Sequence, residues 1–135
     1  GVGSDSNVSV SPVEELRWLE YGQRLITRHR NIAADPQHPS VGAHLLRHAQ
    51  ASAAQATGFA ADALARDRLA LDPHSPVFAG ATAADLADRW IFSGNRPAIA
   101  RVDVAGRCVV DDGRHPEREA IAREFRAAMG VLLAG

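Results

Sequence analysis

The chain has 135 residues, of which 46% are hydrophobic and 23% charged, which is ordinary for a globular domain with its own core. A formal net charge of -1 and a pI near 6.6 give no bias toward nucleic acid or an anionic membrane surface. The single cysteine, Cys108, excludes an intramolecular disulfide and suits a reducing cytoplasm, and neither a membrane-length apolar run nor a signal-peptide pattern is visible.

The chain opens on Gly1-Val2-Gly3, read as a brief strand, and Ser4-Asp5-Ser6-Asn7, read as a polar turn. Val8 and Val10 then alternate with polar residues, which allows a short extended piece. A strand that ends in an acid and feeds a helix is how barrel enzymes place catalytic carboxylates, because the active-site face lies at the C-terminal ends of the strands. Asp5 stands at that position. The plainer reading of Asp5 is a turn aspartate bonded to its own backbone, and spacing alone favours it.

The first helix follows Ser11-Pro12 and is expected to run to about Arg30. Ser11 is a good N-cap, Pro12 suits the first helical position, and Glu14 completes a capping box. Glu14 and Glu15 in the first turn and Arg24, Arg28, His29 and Arg30 toward the end complement the helix dipole, which is a plainer role for the basic cluster than an anion site. Val13, Leu16, Leu19 or Glu20, Gln23 and Ile26 fall on one face, widened by Trp18, Tyr21 and Leu25. That much apolar surface needs a neighbour.

Residues 34–39 carry two prolines and read as a loop. Ser40 then caps an alanine-rich second helix, which Gly58 ends after Thr57 as a left-handed terminal residue. His44 and His48, four apart, share a face and could hold a metal. The zinc-protease pattern needs a glutamate where Leu45 stands, and no third ligand is evident in sequence, so they read as surface or edge histidines.

From Phe59 the pattern changes. A strand is expected at 67–72, interrupted by Arg68, then loop to Gly80. Thr82 and Asp85 resemble a weaker cap for a short helix ending near Phe92, and residues 93–97 stop it. Ile99–Val104 and Arg107–Val110 alternate around Ala105-Gly106 as a hairpin. Cys108 reads as a small buried hydrophobe rather than a nucleophile. Pro116 opens a final helix whose Ile121, Phe125, Met129 and Leu132 recur at helical spacing as a packing stripe. There is no internal repeat, low-complexity tract or phosphate-binding glycine motif.

The run GSDSNVSVSPVEELRWLEYGQRL, residues 3–25, resembles the segment that follows the eighth barrel strand in formimidoylglutamate deiminases, metal-dependent hydrolases of the amidohydrolase superfamily. The resemblance implies an α+β piece of a larger molecule: the C-terminal fragment of a metal-dependent (β/α)8 barrel, with its last strand and helices, part of a small β-sandwich and a C-terminal helix. Such a barrel needs about 250 residues, so its other strands are absent from this chain. The implied division is 1–58 for the partial barrel, 59–115 for part of the sandwich and 116–135 for the last helix.

The resemblance also implies a reaction. N-formimino-L-glutamate is hydrolysed to N-formyl-L-glutamate and ammonia, a step of histidine breakdown, at one divalent metal that is usually zinc. Asp5 is the one residue that matches a catalytic position, as metal ligand and as the group that handles the proton of the attacking water. One carboxylate does not make a zinc site, so the isolated chain is expected to bind no metal and to be inactive. The exposed faces suggest a homo-oligomer, with a small-molecule substrate for the whole enzyme and neither nucleic acid nor membrane as partner. Two other readings stay open: a fragment of another amidohydrolase-superfamily deaminase, and a non-catalytic, self-associating helical module.

Overall fold

A computed structural model of the chain describes residues 1–6, 9–59, 63–96 and 98–135. Asn7 of the expected opening turn, Val8 of the expected extended piece and Pro97 of the expected helix stop lie outside them. The chain divides into two compact units, residues 1–63 with 73–98 and residues 64–72 with 99–135. Packing thus groups residues 73–98 with the opening helices.

The first unit is helical. Helix α1 spans Pro12–Thr27, α2 Val41–Thr57 and α3 Leu86–Phe92. Its start signals are local and act as the sequence predicts. The Ser11 hydroxyl accepts the Glu14 N–H, and the Ser40 hydroxyl accepts the Ala43 N–H. Gly58 ends α2 at φ 70°. Only half of the capping box forms at α1, because the Glu14 carboxylate accepts from the Ser9 hydroxyl at 2.7 Å. Helix α1 ends three residues earlier than expected, where Arg28 turns left-handed at φ 59°. Ahead of α3, Asp85 reaches back to the Thr82 N–H and hydroxyl at 2.6 and 2.8 Å, the backward half of a capping box with Asp in the Glu position.

The core of this unit is small: Val13 and Leu16 from α1, Val41 and Leu45 from α2, Trp90 and Ile91 from α3, and Phe78 from the short 3-10 turn Pro76–Phe78. Burial of these side chains is what orders the three helices. Helices α2 and α3 touch backbone to backbone. A Cβ added at Gly42 would lie 2.7 Å from the Ala87 carbonyl and the Asp88 nitrogen, so only glycine fits. The Asp88 carboxylate also accepts the Gly42 N–H at 2.6 Å, a second cap for α2 supplied from α3. Arg17 joins α1 to the end of α3: its Nε–H and Nη2–H donate to the Ile91 and Gly94 carbonyls, both at 2.7 Å. It thereby satisfies carbonyls that the helix end leaves open.

The expected strand at Gly1-Val2-Gly3 does not form. A strand needs a paired edge, and no partner lies beside it among the described residues. Instead the Gly1 nitrogen donates to the Ser52 hydroxyl of α2 at 2.7 Å. The face of α1 also differs from expectation. Val13, Leu16 and Glu20 point inward, while Trp18, Leu19, Gln23, Leu25 and Ile26 are exposed.

The second unit holds a three-stranded antiparallel sheet of order β1-β2-β3: β1 Arg68–Leu71, β2 Ile99–Val104 and β3 Arg107–Val110. Bulges interrupt the register after Ala70 and after Val102. The hairpin turn Ala105-Gly106 has both residues left-handed, at φ 52° and 80°, which suits the twist of its flanking strands. The residues before β1 hold it: the Asp67 carboxylate accepts the Ala105 N–H at 2.7 Å and the Arg66 carbonyl accepts the Gly106 N–H. Cys108 is exposed rather than buried, because β3 pairs on one side only and its first two residues face out; its thiol donates to the Val110 carbonyl at 3.3 Å. Helix α4, Arg118–Ala134, has no buried residue, so Ile121, Phe125 and Leu132 form an exposed stripe where a packed one was expected.

Candidate functional site

Asp5 lies in an exposed turn at φ 55°, closed by a Ser6 N–H to Ser4 carbonyl bond of 2.6 Å. Aspartate tolerates this left-handed conformation better than most residues. Its carboxylate makes no hydrogen bond or ion pair with the described residues, and it is not folded against α1. Among the described residues it is not part of any group of three metal-ligating side chains. A single exposed carboxylate gains a hydrated zinc ion little, so the residues present do not make up the zinc site that the resemblance implies, and no chemical step follows from them alone.

A cluster of donors forms elsewhere, in the loop at 31–39 and the start of α2. The Asp35 carboxylate accepts the Gln37 and His38 N–H groups at 2.8 and 2.7 Å, an Asx-type turn. The same carboxylate takes the His38 Nδ1 at 3.1 Å from each oxygen. That bond from the His38 ring holds the Asp35 carboxyl below the usual carboxylate range. His44, on the first turn of α2, meets His38 edge-on at 5.2 Å between centroids and His48 at 4.4 Å. Its Nδ1 is shielded from solvent and has no hydrogen-bond partner among the described residues. Burial, then repulsion from His48 and His38, lowers the His44 pKa below the usual histidine value. One donor atom from each of Asp35, His38 and His44 lies within 4.8 Å of the others.

Sequence spacing finds the His44–His48 pair but not Asp35 or His38. The i, i+4 rule describes a helix face, whereas these two donors reach α2 through a loop whose path no periodicity encodes. The weak signal that was available is the Asp-x-x-His spacing of residues 35–38.

A buried carboxylate organises the same loop. Glu20 is 1% exposed and accepts three donors: the Ile32 and Ala33 N–H groups at 2.9 and 3.1 Å and the Arg24 Nε–H at 2.7 Å. Arg24 in turn lies over the rings of Tyr21 and Phe92, at 5.1 and 5.5 Å. It is therefore a packed cation rather than one of a solvated cluster. Arg24, Asn31, Pro39, Val41, Asp88 and Phe92 line a shallow cleft of about 220 Å³.

The fold and these positions can be set beside known proteins. No protein-family model matches the chain. An amidohydrolase from Brucella melitensis, known from its crystal structure, matches with a TM-score of 0.81 and 36% identity, over 98% of this chain and 30% of that one. Along nearly its whole length the chain is therefore similar to one part of an amidohydrolase. Formimidoylglutamate deiminase of Pseudomonas aeruginosa is a relative, 47% identical over 137 residues. That alignment takes in 98% of this chain but only 30% of the relative's length. The resemblance carried by residues 3–25 thus extends across the chain, which corresponds to a fragment of the relative.

Proposed function

We propose that this chain is the C-terminal part of a metal-dependent hydrolase that converts N-formimino-L-glutamate to N-formyl-L-glutamate and ammonia, and that it turns over no substrate alone. The observation that carries this reading is 47% identity to a formimidoylglutamate deiminase sustained over 98% of the chain, although the chain spans only 30% of that protein. A spurious match would follow one helix or one hairpin. This one runs through both compact units.

The same reading includes the division into a partial barrel at 1–58, part of a small sandwich at 59–115 and a C-terminal helix at 116–135. It includes a divalent metal, zinc, in the whole enzyme, and a cytoplasmic place in histidine breakdown. Asp5 is proposed as one metal ligand and as the carboxylate that takes the proton of the attacking water, with every other ligand supplied from outside these residues. Its exposed setting, with no hydrogen bond or ion pair to the described residues, is compatible with that role.

The test is ammonia release from formiminoglutamate with zinc present. The isolated chain is expected to give none above background. A protein containing this chain together with the rest of the relative's length is expected to be active, and Asp5→Asn in it to lower kcat by about a hundredfold or more. Turnover by the isolated chain, or an Asp5→Asn protein of full activity, would defeat the proposal.

A further inference from the structure

We propose that Asp35, His38 and His44 form a binding site for one divalent transition-metal ion of the zinc class, which ties the loop at 31–39 to the first turn of α2. The three side chains already converge, with one donor atom from each inside 4.8 Å. Two imidazoles and a carboxylate suit zinc, cobalt, nickel or copper rather than magnesium or calcium, which prefer oxygen ligands throughout. Zinc bonds of 2.0–2.1 Å put tetrahedral donors about 3.4 Å apart, so the site closes by about an ångström of side-chain rotation. Asp35 is exposed and His38 half-buried, and both can make that movement.

Two features separate this cluster from a chance meeting of surface groups. Asp35 and His38 already meet, with both carboxylate oxygens 3.1 Å from the His38 Nδ1, near the spacing of two donors on one ion, so a metal would take the place of the shared proton. His44 is the reverse case: its shielded Nδ1 has no partner, although buried polar atoms are nearly always paired. A cation among the three donors would give that ring the partner it lacks. The His38 and His48 rings flank it, edge-on at 5.2 Å and tilted at 4.4 Å between centroids. This inference rests on these side chains alone and stands whether or not the deiminase reading does.

Zinc alone, titrated into the 135-residue chain against a chromogenic chelator, tests it, with imidazole NMR of the unsubstituted chain as a second readout. One equivalent is expected to bind, and the ring signals of His38 and His44 are expected to shift together while that of His29 stays put. Asp35→Asn and His38→Gln are each expected to lower affinity about tenfold to a hundredfold, with the circular dichroism spectrum unchanged. Absence of binding, or uniform shifts of all histidines, would overturn the proposal. So would binding that needs His48 but ignores Asp35 and His38, because that would be a chelate on one helix face.

Discussion

Glu20 shows how one side chain can hold a loop that has no secondary structure of its own. Its two oxygens take two backbone N–H groups of residues 32 and 33 and the Arg24 guanidinium, so the buried charge is fully partnered. Removing the carboxylate orphans those donors and leaves Arg24 unpaired. Glu20→Ala is expected to cost about 3–5 kcal/mol in a urea melt, with Glu20→Gln costing less because the amide oxygen can still accept. Asp85 adds a pH term. Hydrogen bonds from the Thr82 backbone and hydroxyl and from Arg89 lower its pKa to about 2. Its folded pKa is below the unfolded value of 3.8, so its contribution is full above pH 4 and is lost as pH falls toward 2. Asp85→Asn is expected to flatten that part of an acid-unfolding curve. Asp85 is legible in the sequence as the partner of Thr82 in a cap, whereas Glu20 is not. Glu20 sits on a face where an apolar residue was as good a guess, and its partners lie twelve and thirteen residues on in a loop.

Elements whose signals are local were legible from sequence. Ser11, Ser40 and Gly58 cap helices α1 and α2 where expected, because a cap involves only the next few backbone groups. The hairpin at 99–110 was legible for the same reason, including its turn at Ala105-Gly106. What failed depends on a neighbour: the strand at 1–3, the burial of Cys108 and the packing of the α4 stripe, although the strand expected at 67–72 does form as β1 against β2. Periodicity reports that a face is apolar, not that something covers it. The hairpin turn also carries a strain that can be tested. Ala105 is left-handed, a conformation that alanine adopts at a cost and asparagine or glycine adopt readily. Ala105→Asn is expected to raise stability by about 0.5–1 kcal/mol, read as a higher thermal midpoint.

Across the whole molecule, the buried set is short for 135 residues and much apolar surface is left open. Trp18, Leu19, Leu25 and Ile26 on α1 and Ile121, Phe125, Val131, Leu132 and Leu133 on α4 are all exposed. Among the described residues, no helix is long and apolar enough to cross a membrane. On the proposed reading, in which the chain is one part of an enzyme of which the relative it matches is 30% covered, the rest of that enzyme would supply surfaces for these faces. Left alone, the chain is expected to self-associate through them, giving a light-scattering mass above 14.4 kDa. A monomer that stays well folded would show that the open faces tolerate water.

The contact at Gly42 has a mechanical consequence. With the Ala87 backbone directly against that position, and the Gly42 N–H held by the Asp88 carboxylate, α2 and α3 are expected to move as one body. A shift of the loop ahead of α2 would then be felt at α3.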